Sequence, residues 1–229
     1  MKMILNLLKK ALGKPQVLDF DPAHDIINLL PNGIDFPVLL ADAKRDLQDS
    51  HAEYTSTVSV GSSAASLELA ALLAALCRVL QPRRLVDLGS GYTSYVLRSY
   101  AKSQATPVDV TSVDDSADWL ARTREYLEAA QLDTSNLMTW DTFEASGDTD
   151  FDLVVLDVRP IARRVEHLPR LMRGLRPGGM IIVDDVHKPH LSQPLIRMAK
   201  EHHWFCAGLK SLTLDGYQRF AAVVAKEPA

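Results

Sequence analysis

One glycine turn and a recurring set of aspartates carry most of the chemistry that can be read from this chain. In VDLGSGYTS, Gly89 and Gly91 flank Ser90, two residues after Asp87. TSVDD ends in Asp114 and Asp115, TWDT offers Asp141 and Thr142, FDLVVLD ends in Asp157, and GGMIIVDDV carries Asp184 and Asp185. Glycines at such a turn let the backbone pass close beneath a ligand. Carboxylates accept from hydroxyls, hold hard cations or move protons. His187 lies two residues beyond the acidic pair, beside Lys188 and His190. A neutral imidazole there is a base candidate for a hydroxyl or ammonium.

Each aspartate follows an apolar segment, and the segments between them read as helices. RRLVDLG, VDVTSVD, NLMTW, FDLVVLD and GGMIIVDDV read as strands, separated by helices over about Ser94 to Lys102, WLARTREYLEAAQL and HLPRLMRGL. Apolar runs without alternation are strands buried on both faces. Strands joined by helices of that length imply right-handed crossovers and a parallel sheet covered on both sides. Towards the end, SQPLIRMAKEHHWF reads as a helix running into a strand. Asp215-Gly216 before YQRFAAVVA then gives a hairpin signal and a final antiparallel strand. The expected fold is α/β: a Rossmann-like, doubly wound, seven-stranded and mostly parallel sheet. In such sheets ligands bind outside the carboxyl ends of the strands, where strand order reverses. One aspartate there is an ordinary cap or turn residue; one at every strand end points to a shared rim.

Upstream, Pro15, Pro22, Pro31, Asn32, Gly33 and Pro37 break residues 1–58 into short pieces. They read as a helical extension, for a lid or for oligomerisation, ahead of a main domain at 59–229. Ile4, Leu5, Leu8, Ala11 and Leu12 recur at helical spacing, and Asp35 to about Tyr54 reads as a second helix. SSAASLELAALLAALCRVL follows as a helix capped by one of its serines.

The dinucleotide fingerprint requires a third small residue three positions after the second glycine, and Ser94 stands there. Asp87 also places negative charge where a pyrophosphate would sit. A donor with a cationic amino-acid end and no phosphate suits it better, and S-adenosylmethionine has that form. VDLGSGYTS, TSVDD, WD, FDLVVLD and LRPGGMIIVDDV together resemble the class I S-adenosylmethionine-dependent methyltransferases over residues 62–225. The resemblance implies that Asp87, Gly89, Ser90 and Gly91 hold the donor's amino-acid part. It gives Asp114, 27 residues after Asp87, the ribose position, with Asp115 beside it among the cofactor-binding residues, and Asp141 and Thr142 the adenine region. The strand-four and strand-five ends resemble catechol and caffeoyl-coenzyme A O-methyltransferases, which implies a divalent metal, Mg2+, on Asp157, Asp184 and Asp185. Two departures stand against that pattern: aspartate replaces the relatives' asparagine, and Pro160 occupies the place of their lysine base.

The implied function is methyl transfer to a small-molecule hydroxyl, with Asp157 and His187 as the catalytic candidates. The alternatives are an NAD(P)-dependent oxidoreductase of similar fold and a non-catalytic scaffold subunit that holds a partner with residues 1–58. Net charge is −4 from 25 Lys+Arg and 29 Asp+Glu, which excludes a generic polyanion binder. No aromatic-interleaved basic patch suggests nucleic acid. Arg159, Arg163 and Arg164 beside the strand-four rim suggest a clamp for a carboxylate or phosphate. The apolar stretch from Met3 to Leu8 is too short for a membrane span. Cys77 and Cys206 sit in apolar runs as small hydrophobes. A cytoplasmic protein that pairs as a homodimer is the expectation.

Overall fold

The computed structural model describes residues 35–226. The expected helix near the N-terminus lies outside them. The chain opens with α1 (Phe36–Thr57), started by Asp35, whose Oδ1 accepts from Val38 N at 3.2 Å, and by Pro37 in the first turn. Ser66 then caps α2 (Leu67–Leu80) by accepting from Leu69 N at 3.1 Å, and Gln81 closes the helix in the left-handed region before Pro82.

The alternating part follows: β1 (Arg84–Leu88), α3 (Tyr92–Ser103), β2 (Asp109–Asp114), α4 (Ala117–Ala129), β3 (Leu137–Thr139), α5 (Trp140–Ser146), β4 (Phe151–Leu156), α6 (Ile161–Gly174), β5 (Leu175–Val183), α7 (Pro189–Glu201), β6 (Trp204–Gly208), α8 (Lys210–Thr213) and β7 (Ala222–Lys226). The strands form one seven-stranded sheet in the order β3-β2-β1-β4-β5-β7-β6. β7 runs antiparallel to both β5 and β6, and the remaining pairs are parallel. Strand order reverses between β1 and β4, whose ends meet at the Leu88–Leu156 pairing.

Neighbouring residues of one strand feed opposite cores. Leu85, Leu153, Val155 and Ile182 pack with α1, α2 and α3, whereas Val86, Val154, Leu156 and Ile181 pack with α6 and α7. That two-sided burial is why the strands carry no polar alternation. α1 joins the first core through Phe36, Leu47 and Tyr54, so the later part of the expected extension packs on the sheet domain. Among the described residues, no helix is long and apolar enough to cross a membrane.

Three local readings change. Trp140-Asp141 opens α5 instead of ending a strand, because Thr139 Oγ1 accepts from Thr142 N at 3.4 Å and starts a helix after only three strand residues. α6 begins at Ile161, well before His167. Asp215-Gly216 is not a tight hairpin turn: β6 and β7 are separated by residues 209–221, including α8. Asp215 instead accepts from Tyr217 N at 2.9 Å and Arg219 N at 2.8 Å, which organises that longer loop.

Asp152, one residue into β4, ties the lower edge of the sheet together. Its Oδ2 accepts from the backbone of Arg83 at 2.7 Å and Arg84 at 2.9 Å, and Arg176 lies 3.1 Å from Oδ1 where the β4–β5 register shifts. Asp152→Ala is expected to lower unfolding free energy by roughly 2 kcal/mol, since two backbone donors lose a charged acceptor. Urea denaturation checks it, with an unchanged slope showing that the fold persists.

Candidate active site

The glycine turn lies at the strand-order reversal. Gly89 N donates to Val113 O at 2.9 Å and Asp157 N to Leu88 O at 2.7 Å, so the ends of β2, β1 and β4 are stitched together. Gly89 has φ +111°, and a Cβ there would lie 2.7 Å from the Asp157 carbonyl carbon. Gly91 has φ +154°, and a Cβ there would lie 2.9 Å from Tyr54 Oη. Both positions need glycine for conformation and for space.

Asp87 sits beneath this turn, fully buried. Thr93 Oγ1 donates to Oδ1 at 2.8 Å, Ser94 Oγ to Oδ2 at 2.5 Å and Ser112 Oγ to Oδ2 at 3.3 Å. Ser94 Oγ also accepts from Gly91 N at 3.1 Å, so the serine at the third-glycine place locks the turn to the aspartate. Asp87 does not line the cavity above, and its oxygens are spent on the turn rather than aimed at a ligand. Burial pushes its carboxyl up to about 7, assisted by the Asp157 charge and opposed by the Ser94 and Thr93 donors and by Arg98.

Above the turn opens a cavity of about 780 Å³. Gly89, Ser90 and Gly91 form its floor; Asp114, Asp115, Ser116, Trp119 and Arg122 line the β2 side; Asp157, Arg159, Asp184, Asp185 and Lys188 line the β4–β5 side; and residues 54–60 and 62–65 form a wall. That volume is within the roughly 300–1,000 Å³ of small-molecule sites. Ser116 N donates to Asp114 Oδ1 at 3.0 Å, while Ser90 Oγ lies 3.4 Å from Oδ2. Trp119 Nε1 donates to Ser90 O at 2.6 Å and pins the turn from the α4 side. Burial raises the Asp114 carboxyl, against the pull of Ser116 N–H.

The overall architecture has solved counterparts. Over 86% of this chain and 97% of its own, the S-adenosylhomocysteine-bound methyltransferase PaMTH1 of Podospora anserina superposes with a TM-score of 0.63 at 16% identity. The O-methyltransferase TomG of Streptomyces achromogenes, solved with S-adenosylmethionine, covers 89% and 94% with a TM-score of 0.58 at 16% identity. This chain has the class I S-adenosylmethionine-dependent methyltransferase fold. In sequence, a trans-aconitate 2-methyltransferase of Rhodopseudomonas palustris is 31% identical over 114 residues, 47% of this chain. The chain spans about two fifths of the length of the curated relatives it matches. No protein-family model matches it.

Within this methyltransferase fold the remaining expected site residues divide. Asp114, Asp115, Asp157, Asp184 and Asp185 meet in the one cavity. Asp141 and Thr142 are exposed at the start of α5 and do not line it. Nor does His187: its Nδ1 lies 3.7 Å from Asp185 Oδ1, and burial lowers its basicity, against the raising effect of that carboxylate. Of the expected arginine clamp, only Arg159 lines the cavity. Arg163 pairs with Asp115 and covers the Trp140 ring at 5.4 Å.

Arg164 is buried and works as a strut. Its Nε donates to Val158 O at 2.8 Å, one terminal nitrogen to Asp184 O at 3.0 Å, and the other to Asp157 O at 2.8 Å and Asp157 Oδ1 at 2.6 Å. Asp185 Oδ2 is 3.7 Å from the same guanidinium and accepts from Lys188 Nζ at 2.6 Å. Although burial acts to raise Asp185, Lys188 and Arg164 hold its carboxyl below the usual range. Asp184 is pushed up to about 7 by burial and by its two acidic neighbours.

A Mg2+ ion needs carboxylate oxygens free to turn towards it. Among the described residues, Asp157 and Asp185 each give one oxygen to a guanidinium or an ammonium built into the chain, Asp185 Oδ1 is buried without a hydrogen-bond partner, and no group of three or more His, Cys, Asp or Glu is arranged to hold a metal. As arranged, these side chains do not form the metal site implied by the resemblance. Tyr54 and Trp119 were not read from the sequence as site residues, and Arg164 was read as a ligand clamp instead of a strut; aromatic and basic positions on amphipathic helices carry no local sign of which way they face.

Two outcomes follow from this geometry. Calorimetric titration with Mg2+ or Mn2+ should give no saturable heat, and saturable binding at micromolar concentration would restore the metal site. For Asp87, the native carboxyl lies above its unfolded value, so the folded state binds the extra proton and stability falls as pH rises from about 4 to about 7. Asp87→Asn removes that titration. The stability of wild type relative to Asp87→Asn should therefore decline across this window and level off above it, as read by denaturation at fixed pH values.

Proposed function

We propose that this chain transfers a methyl group from S-adenosylmethionine to an oxygen of a small-molecule acceptor. The observation that carries the reading is one cavity shared by the glycine turn, Asp114 at the end of β2, and the open rim of β4 and β5. In this reading Asp114 accepts from a pair of ribose hydroxyls. The Gly89–Gly91 backbone admits the amino-acid part, and the 54–65 wall shields the reacting end from water. When bound, the donor supplies an electrophilic methyl on sulfur. An acceptor oxygen forms the new C–O bond as the C–S bond breaks with its electron pair leaving on sulfur. The chain's task is alignment of the two reactants.

An ionised acceptor asks least of these residues. His187 lies off the cavity and Pro160 stands where a lysine base would be, whereas a carboxylate attacks without prior deprotonation. Arg159 lines the rim, exposed, with no salt bridge among the described residues. The curated relatives are named for trans-aconitate, a carboxylic acid. An acceptor screen led by carboxylic acids, followed by phenols, separates this reading from the hydroxyl acceptor expected from the strand-end pattern.

Calorimetry with S-adenosylmethionine and S-adenosylhomocysteine should show saturable binding, and Asp114→Ala should weaken it by about tenfold or more. Binding of NAD or NADP in their place, or of neither class, would overturn the assignment.

A further inference from the structure

We propose that Tyr54, on α1, is the residue that recognises the carboxylate of the methyl donor's amino-acid end. The inference rests on the donor reading above and deepens it. Tyr54 belongs to the segment ahead of the sheet, yet its side chain is 1% exposed and lines the cavity over the glycine turn. Its hydroxyl points at Gly91, the N-cap residue of α3: a Cβ on Gly91 would lie 2.9 Å from Tyr54 Oη. That oxygen is buried and has no hydrogen-bond partner among the described residues.

A buried hydroxyl without a partner costs free energy, and here it stands at a helix N-terminus, where backbone N–H groups and the helix dipole favour an anion. The same position disfavours a cation there. Tyr54 remains a neutral donor at all ordinary pH, because burial and the Asp87 charge push its phenol far above the usual range. A neutral O–H donor beside a helix start suits a carboxylate.

The neighbouring rings hold this hydroxyl in place. Tyr54 packs edge-on to Tyr126 at 4.9 Å and is tilted against Tyr92 at 5.3 Å. Tyr92 Oη donates to Leu47 O at 3.1 Å and meets Ser50 Oγ at 2.8 Å, and Tyr126 Oη donates to Ser50 O at 3.2 Å. Two of the three tyrosines thus spend their hydroxyls on α1 itself. Tyr54 is left as the one aimed at the turn.

The test compares three ligands on wild type and Tyr54→Phe: S-adenosylhomocysteine, its decarboxylated analogue, and 5′-methylthioadenosine, which lacks the whole amino-acid end. Tyr54→Phe should weaken S-adenosylhomocysteine about tenfold while leaving the other two within about twofold. The two truncated ligands also report whether the variant keeps its fold. Equal weakening of all three, or no weakening of the first, overturns the role of Tyr54. Wild type that binds none of the three overturns the donor reading itself, and the role of Tyr54 with it.

Discussion

The contact on which this site depends is the backbone packing of Gly89 against Asp157. β1 and β4 lie side by side at the strand-order reversal, and Asp157 N donates to Leu88 O across their ends. The turn after β1 must then rise over the β4 chain with no side chain between them, which only glycine at positive φ allows. Once that crossing is made, α3 starts at Gly91, its first turn faces the cavity, and Asp114 and Asp157 fall on either side. The Asp87–Thr93–Ser94 hydrogen bonds hold the crossing from below. Asp87 therefore acts on the ligand site through the turn it braces, not by reaching the ligand.

Charge in the cavity is balanced by the chain itself. Three aspartates at the β4 and β5 ends would repel one another in a buried site, and two of them are drawn to Arg164 and Lys188. Arg164 costs desolvation when buried, and its four hydrogen bonds, three of them to backbone carbonyls, offset that cost. Fixed in this way, it joins the β4 loop to the end of β5 between the three aspartates. A carboxylate at 185 fits this arrangement, because it pairs with Lys188.

The sheet was legible because burial on both faces leaves a strong mark. Residues 153–156 of β4 and the apolar half of β5 are continuous hydrophobic runs, and each is followed by carboxylate. The glycine turn was legible for a similar reason, since its spacing reflects a steric demand. Other features depended on contacts distant in sequence. Thr139 capping α5 converts an expected strand end into a helix, and Asp141 and Thr142 then turn to solvent. His187 follows an acidic pair that does line the cavity, yet its ring sits near Phe220 instead. Spacing along a loop says little about which way the loop turns.

Arg164 and Tyr54 show where such reading stops. An arginine in a run of arginines looks like a solvated helix face, and Arg173 on the same helix is exposed. Arg164 differs only because the β4 and β5 ends close around it. Tyr54 likewise belongs to an amphipathic helix whose composition fits a lid as well as a core element. Its burial with Tyr92 and Tyr126 makes α1 part of the cavity wall, so the segment ahead of the sheet contributes to the chemistry of the glycine turn. A residue tied to that segment can sense the donor only because the glycine at 91 leaves room for a hydroxyl. The two glycines of the turn thus divide the work: Gly89 lets the chain cross β4, and Gly91 lets α1 approach the start of α3.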